Sequence, residues 1–360
     1  MIRPLILIIL SFLILLSYGA KLHPETDKNN FKNVNPGKKF LFPEDHRPHY
    51  GFKTEWWYYT GFVKNNTNQE YGIQFTLFKI ELEPKTIARP HPPILAITHL
   101  GISDLAGQKL HSLTDAIRVF PGLAKFEDTK NGFAFTGRGR KLNTKYSIES
   151  KHHRFEVQSK DFSISGKVSE TYPVLLQGQE GFSKKTNKGT ASYYYSIPEL
   201  VGEISLSIGD ISFSGKSNLW LDHEVSSQFL DKSMVGWDWV HFTLNDGRKF
   251  SGFQVRSKHD PKDNYTYGVL IDKDSNKQLP IHFTPKKYKK LKSGHSYPIS
   301  WEIQTQEETF FIKSSIDESE MEGILPYWEG PIEILNSKQI NIGKGYLEMT
   351  GYGSELPSWL

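Results

Sequence analysis

Residues 54–61 read Thr54-Glu55-Trp56-Trp57-Tyr58-Tyr59-Thr60-Gly61. Successive side chains of a strand point to opposite faces, so Glu55, Trp57 and Tyr59 share one face while Trp56, Tyr58 and Thr60 share the other. Both faces are aromatic. Such a strand is covered on both sides, as in a filled barrel or at the contact of two sheets, and is not half exposed to water. Two later clusters have the same character, Trp220-Leu221-Asp222-His223-Glu224 and Gly236-Trp237-Asp238-Trp239. Strand-forming aromatics with isolated acids suggest a β-protein lining an apolar pocket that holds a few polar groups.

The rest of the chain reads as alternating strands. Tyr71 to Phe78 follows across an Asn65-Asn66 turn, Phe155 to Gln158 and Phe162 to Ser165 alternate, and Ile204 to Ile208 returns through Gly209-Asp210 into Ile211 to Ser214. A second series starts at Trp237. It includes Trp239 to Leu244, the turn Asn245-Asp246-Gly247, the return strand Phe250 to Val255, and segments at 267–271, 299–303, 310–314 and 346–350. No long segment has helical periodicity, and turn signals recur at the spacing of antiparallel sheets or barrels. The reading is therefore all-β, with two domains, 43–225 and 226–360.

The first residues look like an export signal. Arg3 gives a positive start, Leu5 to Leu16 is an apolar run, and Ser17-Tyr18-Gly19-Ala20 offers small residues for cleavage, so 1–19 is expected to be removed. The apolar run is short for a bilayer, so no stable membrane span is expected after removal, and the protein should be periplasmic or secreted. Residues 20–42 read as a polar linker. The absence of cysteine rules out disulfides, thiolate metal sites, a Cys nucleophile and a lipid-attached N-terminal cysteine. The formal charge of +4 is small for 360 residues, and lysines and acids are interspersed. That pattern excludes a nucleic-acid stripe.

Common catalytic signatures do not occur. There is no Gly-x-Ser-x-Gly elbow, and Gly215-Lys216-Ser217 lacks the earlier glycine of a P-loop. The histidines are not spaced for a metal: Glu44, His46 and His49 share a Pro-containing loop, and His152 and His153 face opposite ways on a strand, so neither metal nor cofactor is expected. Asn-x-Thr sequons at Asn65 and Asn264 mark exposed turns. In the segment Trp220 to Glu224, a strand puts Trp220, Asp222 and Glu224 on one face, with the two carboxyls about 7 Å apart. Burial beside indole and a neighbouring carboxylate both raise a carboxyl pKa, which makes Asp222, with Glu224, a candidate proton donor at neutral pH. The plainer alternative is a strand-end ion pair with Arg256 or a lysine.

Four blocks together resemble the AttH and carotenoid 1,2-hydratase family of exported proteins built from two lipocalin-like barrels. They are Glu55 to Gly61; Leu176-Gln177-Gly178-Gln179-Glu180-Gly181-Phe182-Ser183 with Ser192-Tyr193-Tyr194-Tyr195-Ser196; the Trp220 and Gly236 clusters; and Tyr327-Trp328-Glu329-Gly330 with Gly345 to Tyr352. Thr98 to Asp104 is similar to a fifth. The resemblance implies two lipocalin-like antiparallel barrels in tandem. It also implies that Asp222 stands where the hydratase branch has the acid that protonates a terminal double bond before water captures the cation. Trp220 replaces a tyrosine of that branch, and the segment 191–195 lacks its histidine.

Two functions follow from these expectations. One is an acid-catalysed hydratase acting on an unsaturated apolar substrate, a polyene, isoprenoid or lipid-like molecule. The other is a non-catalytic periplasmic carrier or sensor of such a hydrophobic ligand. Hydrolysis ranks lower for want of a nucleophile or metal. The expected pocket comprises Glu55, Trp57, Tyr59, Tyr193, Tyr194, Tyr195, Trp220 and Trp237 around Asp222 and Glu224.

Overall fold

Alternating patterning yields strands almost throughout the computed structural model, which describes residues 25–353 apart from 85–92, 188, 229, 274, 322, 324 and 325. The expected signal, residues 1–19, lies outside the described residues. The first series opens with four strands: β1 (Thr54–Lys64), β2 (Glu70–Glu81), β3 (Ile94–Asp104) and β4 (Lys109–Arg118). A meander follows: β5 (Ala124–Thr129), β6 (Gly132–Arg138), β7 (Asn143–Glu149), β8 (His152–Gln158) and β9 (Phe162–Glu170). Two short strands, β10 (Leu175–Leu176) and β11 (Phe182–Lys184), precede the long ribbon β12 (Ala191–Ile208) and β13 (Ile211–Ser226).

These form one antiparallel sheet in the order β4-β3-β2-β1-β13-β12-β9-β8-β7-β6-β5, curled into a nearly closed barrel. Asp115 on β4 helps to close the gap. Its carboxylate accepts the backbone N–H groups of Lys141, at 2.7 Å, and Leu142, at 2.9 Å, in the β6–β7 turn.

The passage from Ser226 to Met234 leads into a second antiparallel sheet. It contains β14 (Met234–Leu244), β15 (Lys249–Ser257), β16 (Tyr265–Ile271), β17 (Asn276–Leu279), β18 (His282–Lys290) and β19 (Ser296–Gln304). It is completed by β20 (Thr309–Ser314), β21 (Glu320–Met321), β22 (Tyr327–Leu335) and β23 (Asn341–Met349). Their order, β17-β16-β15-β14-β23-β22-β20-β19-β18, makes a half-barrel. Gly247, with φ of 93°, completes the tight turn between β14 and β15, a conformation that glycine adopts without a Cβ penalty.

Three apolar clusters result, one per sheet and one between them. Trp57, Tyr59, Phe75, Tyr195 and Leu221 belong to the core of the first barrel, and Val240, Phe242, Trp301, Trp328 and Leu347 to that of the second sheet. The third comprises Trp56, Tyr58, Tyr194, Trp220, Trp239, Phe253 and Tyr346 and fills the contact between the sheets. Gly72 permits close approach here, because a Cβ would fall 2.4 Å from the Tyr346 hydroxyl.

The stretch expected to be a polar linker is packed from residue 25 onward. Phe31 is buried, Lys32 N donates to Gly51 O, and the Ser227 hydroxyl donates to Lys32 O at 2.6 Å. Local Asp and Asn turns, such as Asp27 accepting from the Asn29 and Phe31 amides, satisfy its backbone and let a polar segment lie against the barrel.

Candidate active site at the junction of the two sheets

The site is built from parity. In β1 and β13 the odd residues point into the first barrel, so Trp56, Tyr58, Trp220, Asp222 and Glu224 point outward, toward the second sheet. On β12 a bulge between Ile197 and Leu200, at Pro198-Glu199, inserts one extra residue and reverses the parity. Proline has no N–H for the ladder, which suits it to such a break. Before the bulge, Tyr195 and Ile197 face the barrel while Tyr194 and Ser196 face the junction, Ser196 directly opposite Asp222 in the ladder. From the other side β14 contributes Trp237 and Trp239, β15 contributes Phe253 and Val255, and β22 and β23 contribute Tyr327 and Glu348. Phe78, Ile97 and His99 complete the wall of a narrow cavity with about 70 Å³ of open space.

Asp222 is 2% exposed. Its Oδ1 accepts from Trp220 Nε1 at 2.7 Å and from the Ser196 hydroxyl, and its Oδ2 accepts from the Tyr194 hydroxyl at 2.8 Å. Burial pushes its pKa up to about 7 against these hydrogen bonds, and the Glu224 charge adds to the rise. The Tyr194 hydroxyl in turn accepts from Trp239 Nε1 at 3.1 Å, so the acid is tied to the second sheet.

Three further buried carboxyls lie at the junction. Glu224 binds the Lys185 ammonium at 2.5 Å and the Ser192 hydroxyl, and burial still raises its pKa. Burial lowers Lys185, whose ammonium lies 4.7 Å from the Tyr194 ring centroid and 4.2 Å from that of Phe253. Glu348 accepts from Trp237 Nε1 at 2.6 Å, and burial, with the charges of Asp222 and Glu224, pushes it up to about 7. Glu329 accepts from the Tyr58 hydroxyl, and burial and Glu348 push it well above the carboxylate range. His99, bonded to the Tyr327 hydroxyl at 2.8 Å, is pulled by burial down to about 3 and is a neutral wall.

Of the residues expected in the pocket, Tyr194, Trp237, Asp222 and Glu224 line the cavity, and Trp220 lies beside it as a donor to Asp222. Glu55, Trp57, Tyr59 and Tyr195 face the opposite way, into the barrel. Tyr193 packs on Phe40 and Phe52 under the N-terminal segment. The plainer alternative for the acids is realised in part: Glu224 pairs with Lys185, whereas Arg256 pairs with Asp238 at 3.0 Å. Sequence reasoning did not assign Trp56, Tyr58, Lys185, Trp239 or Glu348. Glu348 carries the same signal as Asp222, an acid alternating with aromatics in a strand.

The inward face of β1 builds a separate polar cluster. Glu55 accepts from His223 at 2.9 Å and His49 at 2.8 Å and faces the buried Lys79 ammonium at 3.3 Å. Burial opposes its ionisation, but Lys79 and His49 outweigh that and hold its pKa low. His49, Glu55 and His223 place ligand atoms within 4.8 Å of one another, a spacing compatible with a metal ion. The Lys79 ammonium already neutralises Glu55 there, so the donor set fits a hydrogen-bonded ion cluster better than a cation site. Nearby, His46 and His153 converge on Glu170, and the Tyr59 hydroxyl reaches His153 at 2.6 Å.

A barrel and a half-barrel in tandem, joined around an aromatic cavity that holds buried acids, define a two-domain lipocalin-like protein. The chain belongs to the AttH-like family, whose pattern matches residues 33–352. An AttH structure from Nitrosomonas europaea is 29% identical, covers 89% of this chain and 99% of its own, and superposes with a TM-score of 0.78. Kievitone hydratase from Nectria haematococca has the same fold at 15% identity, with a TM-score of 0.66, over 91% of this chain and 98% of its own. No curated protein matches the chain. Among the described residues no helix is long and apolar enough to cross a membrane.

Proposed function

We propose that the protein is an acid-catalysed hydratase of an unsaturated apolar substrate, with Asp222 as the proton donor. The carrying observation is a carboxyl buried on the wall of an aromatic cavity, where desolvation pushes its pKa up to about 7. Oδ1 takes two donors, so the proton belongs on Oδ2, next to Tyr194. Transfer of that proton to one carbon of a double bond leaves a cation on the other and a carboxylate on Asp222. Ser196, Trp220 and Tyr194 then donate to the charge as it develops, and the faces of Trp56, Tyr58 and Trp239 stabilise the cation. Water adds to the cation and loses a proton to the Asp222 carboxylate, so the sum is one water across one double bond.

A protein of the same fold bears the name of a hydratase, which agrees with this reading. The composition of residues 1–19 supports export, with action in the periplasm or outside the cell. The test is incubation of the purified protein with isoprenoid and polyene alkenes in ¹⁸O-labelled water. The expected product is an alcohol with one labelled oxygen, and Asp222→Asn, which keeps the shape but removes the transferable proton, should lower turnover about a hundredfold or more. A folded Asp222→Asn protein with full turnover removes the acid role of Asp222, whereas a wild type that binds such alkenes without forming labelled alcohol leaves a carrier of hydrophobic ligands.

A further inference from the structure

The cavity combines two features that apolar binding alone does not require. Its walls are aromatic: Trp56 is 6.0 Å from Phe78, Tyr58 meets Trp239 edge-on at 5.1 Å, and Tyr194 and Phe253 present their faces to the Lys185 ammonium at 4.7 and 4.2 Å. Three of its lining residues are acids, Asp222, Glu224 and Glu348, against one lysine among the described lining residues. Lys185 ion-pairs with Glu224. The hydrogen-bond partners of Asp222 and Glu348 are neutral groups, hydroxyls and indole N–H. A neutral ligand gains nothing from this excess of acids. A cation gains from both features, because π-faces attract positive charge and a desolvated carboxylate attracts it further.

We propose that the cavity selects apolar cations, binding an alkylated ammonium against its aromatic walls with the charge toward Asp222 and Glu348. This rests on the cavity being the ligand site proposed above and names the chemistry it favours. A stable ammonium places a positive charge where the carbon cation forms on proton transfer, so such a ligand shares the charge of the reaction's high-energy intermediate and should inhibit. Lys185 already shows the mode of binding, since its own ammonium sits over two of the rings. It also limits the site, repelling a cation placed beside Glu224 and leaving the Asp222 and Glu348 side as the favoured position.

Binding should release protons. Asp222 and Glu348 are both pushed up to about 7 by burial, so at pH 6.5 much of each is neutral, and a cation draws them into the charged form. Of the other groups facing them, His99 is pulled far below this range and burial raises Tyr58, Tyr194 and Tyr327 well above it; burial also raises Glu224 and Glu329 and lowers Lys185, and a nearby cation pushes each of these toward proton release too, adding to the signal and not cancelling it.

The test compares benzyltrimethylammonium with its neutral carbon isostere, neopentylbenzene, each titrated below its solubility limit and followed by tryptophan fluorescence. Calorimetry in buffers of different ionisation enthalpy counts the protons released. The expected result is at least tenfold tighter binding of the ammonium, with proton release at pH 6.5 that vanishes by pH 9. Glu348→Gln should reduce ammonium affinity severalfold and leave that of the isostere unchanged. Equal or tighter binding of the isostere overturns the proposal while leaving the apolar ligand site intact. Binding of neither compound overturns it as well, and the hydratase reading is then decided by its own labelled-water assay.

Discussion

Tyr58 lies directly opposite Asp222 in the β1–β13 ladder, and its hydroxyl crosses the junction to Glu329 on β22. One strand pair therefore carries both the candidate acid and a tie to the second sheet. The acid's own partner, Tyr194, makes a parallel link through Trp239. The site exists only where the two sheets meet, so changes at the contact should be felt both in stability and in the protonation of Asp222.

Asp222 and Glu348 should make stability fall as pH rises. Each has a folded pKa of about 7, above its unfolded value, so the folded state holds more protons between about pH 4 and 7. Stability is lost across that window as the buried groups must ionise. Asp222→Asn and Glu348→Gln should accordingly raise stability at pH 8 by on the order of 1–2 kcal/mol, read as a higher thermal midpoint, with the gain shrinking toward pH 5. Melting curves at the two pH values check this. A loss of stability at pH 8 equal to that at pH 5 contradicts it.

The Lys185–Glu224 pair behaves differently, because both partners are buried. Lys185→Met leaves Glu224 without its counter-charge and should cost about 3–5 kcal/mol at pH 8 in a urea titration. The double variant with Glu224→Gln should recover most of that loss. If the double variant is as unstable as the single one, the damage comes from lost packing and not from a stranded charge.

His49 should shift stability with pH in the same direction as Asp222, but by losing a favourable interaction and not by gaining a burial penalty. Burial lowers its pKa, but the Glu55 charge and the hydrogen bonds the ring donates to Asp45 and Glu55 win and raise it above 6.5. Its contribution is fully present below pH 6.5 and is lost as pH rises through the raised value. His49→Asn should thus destabilise more at pH 6 than at pH 9, as read by chemical denaturation.

Asp115 helps to close the first barrel. Asp115→Ala leaves the amides of Lys141 and Leu142 without their acceptor and should cost about 1–3 kcal/mol. Hydrogen exchange should rise at Lys141 and Leu142 while β14 to β23 stay protected. Uniform loss of protection in both sheets would show that the closure is shared more widely.

The all-β architecture was legible because period-2 alternation and turns such as Asn245-Asp246-Gly247 are local signals. Parity also grouped Glu55, Trp57 and Tyr59 correctly on one face. Which way that face points is not local information. Both faces of β1 are aromatic, and only pairing with β13 and docking of the second sheet decide that Trp56 and Tyr58 meet the cavity while Glu55 joins the histidine cluster. The grouping of 193–195 failed for a related reason. Neighbours in a strand diverge, so Tyr194 alone reaches Asp222, while Tyr193 goes to the N-terminal segment and Tyr195 to His46. Lys185 was hidden because it lies in a loop, where spacing carries no signal.

The most direct test of the central claim is the protonation state of Asp222 itself. Difference infrared spectra of wild type against Asp222→Asn, recorded from pH 5 to 9, isolate that one carboxyl. The account predicts a protonated carboxyl C=O band at pH 5 that is replaced by carboxylate bands with a midpoint near pH 7. A carboxylate already present at pH 5 would contradict it, because a group ionised there has no proton to give at neutral pH.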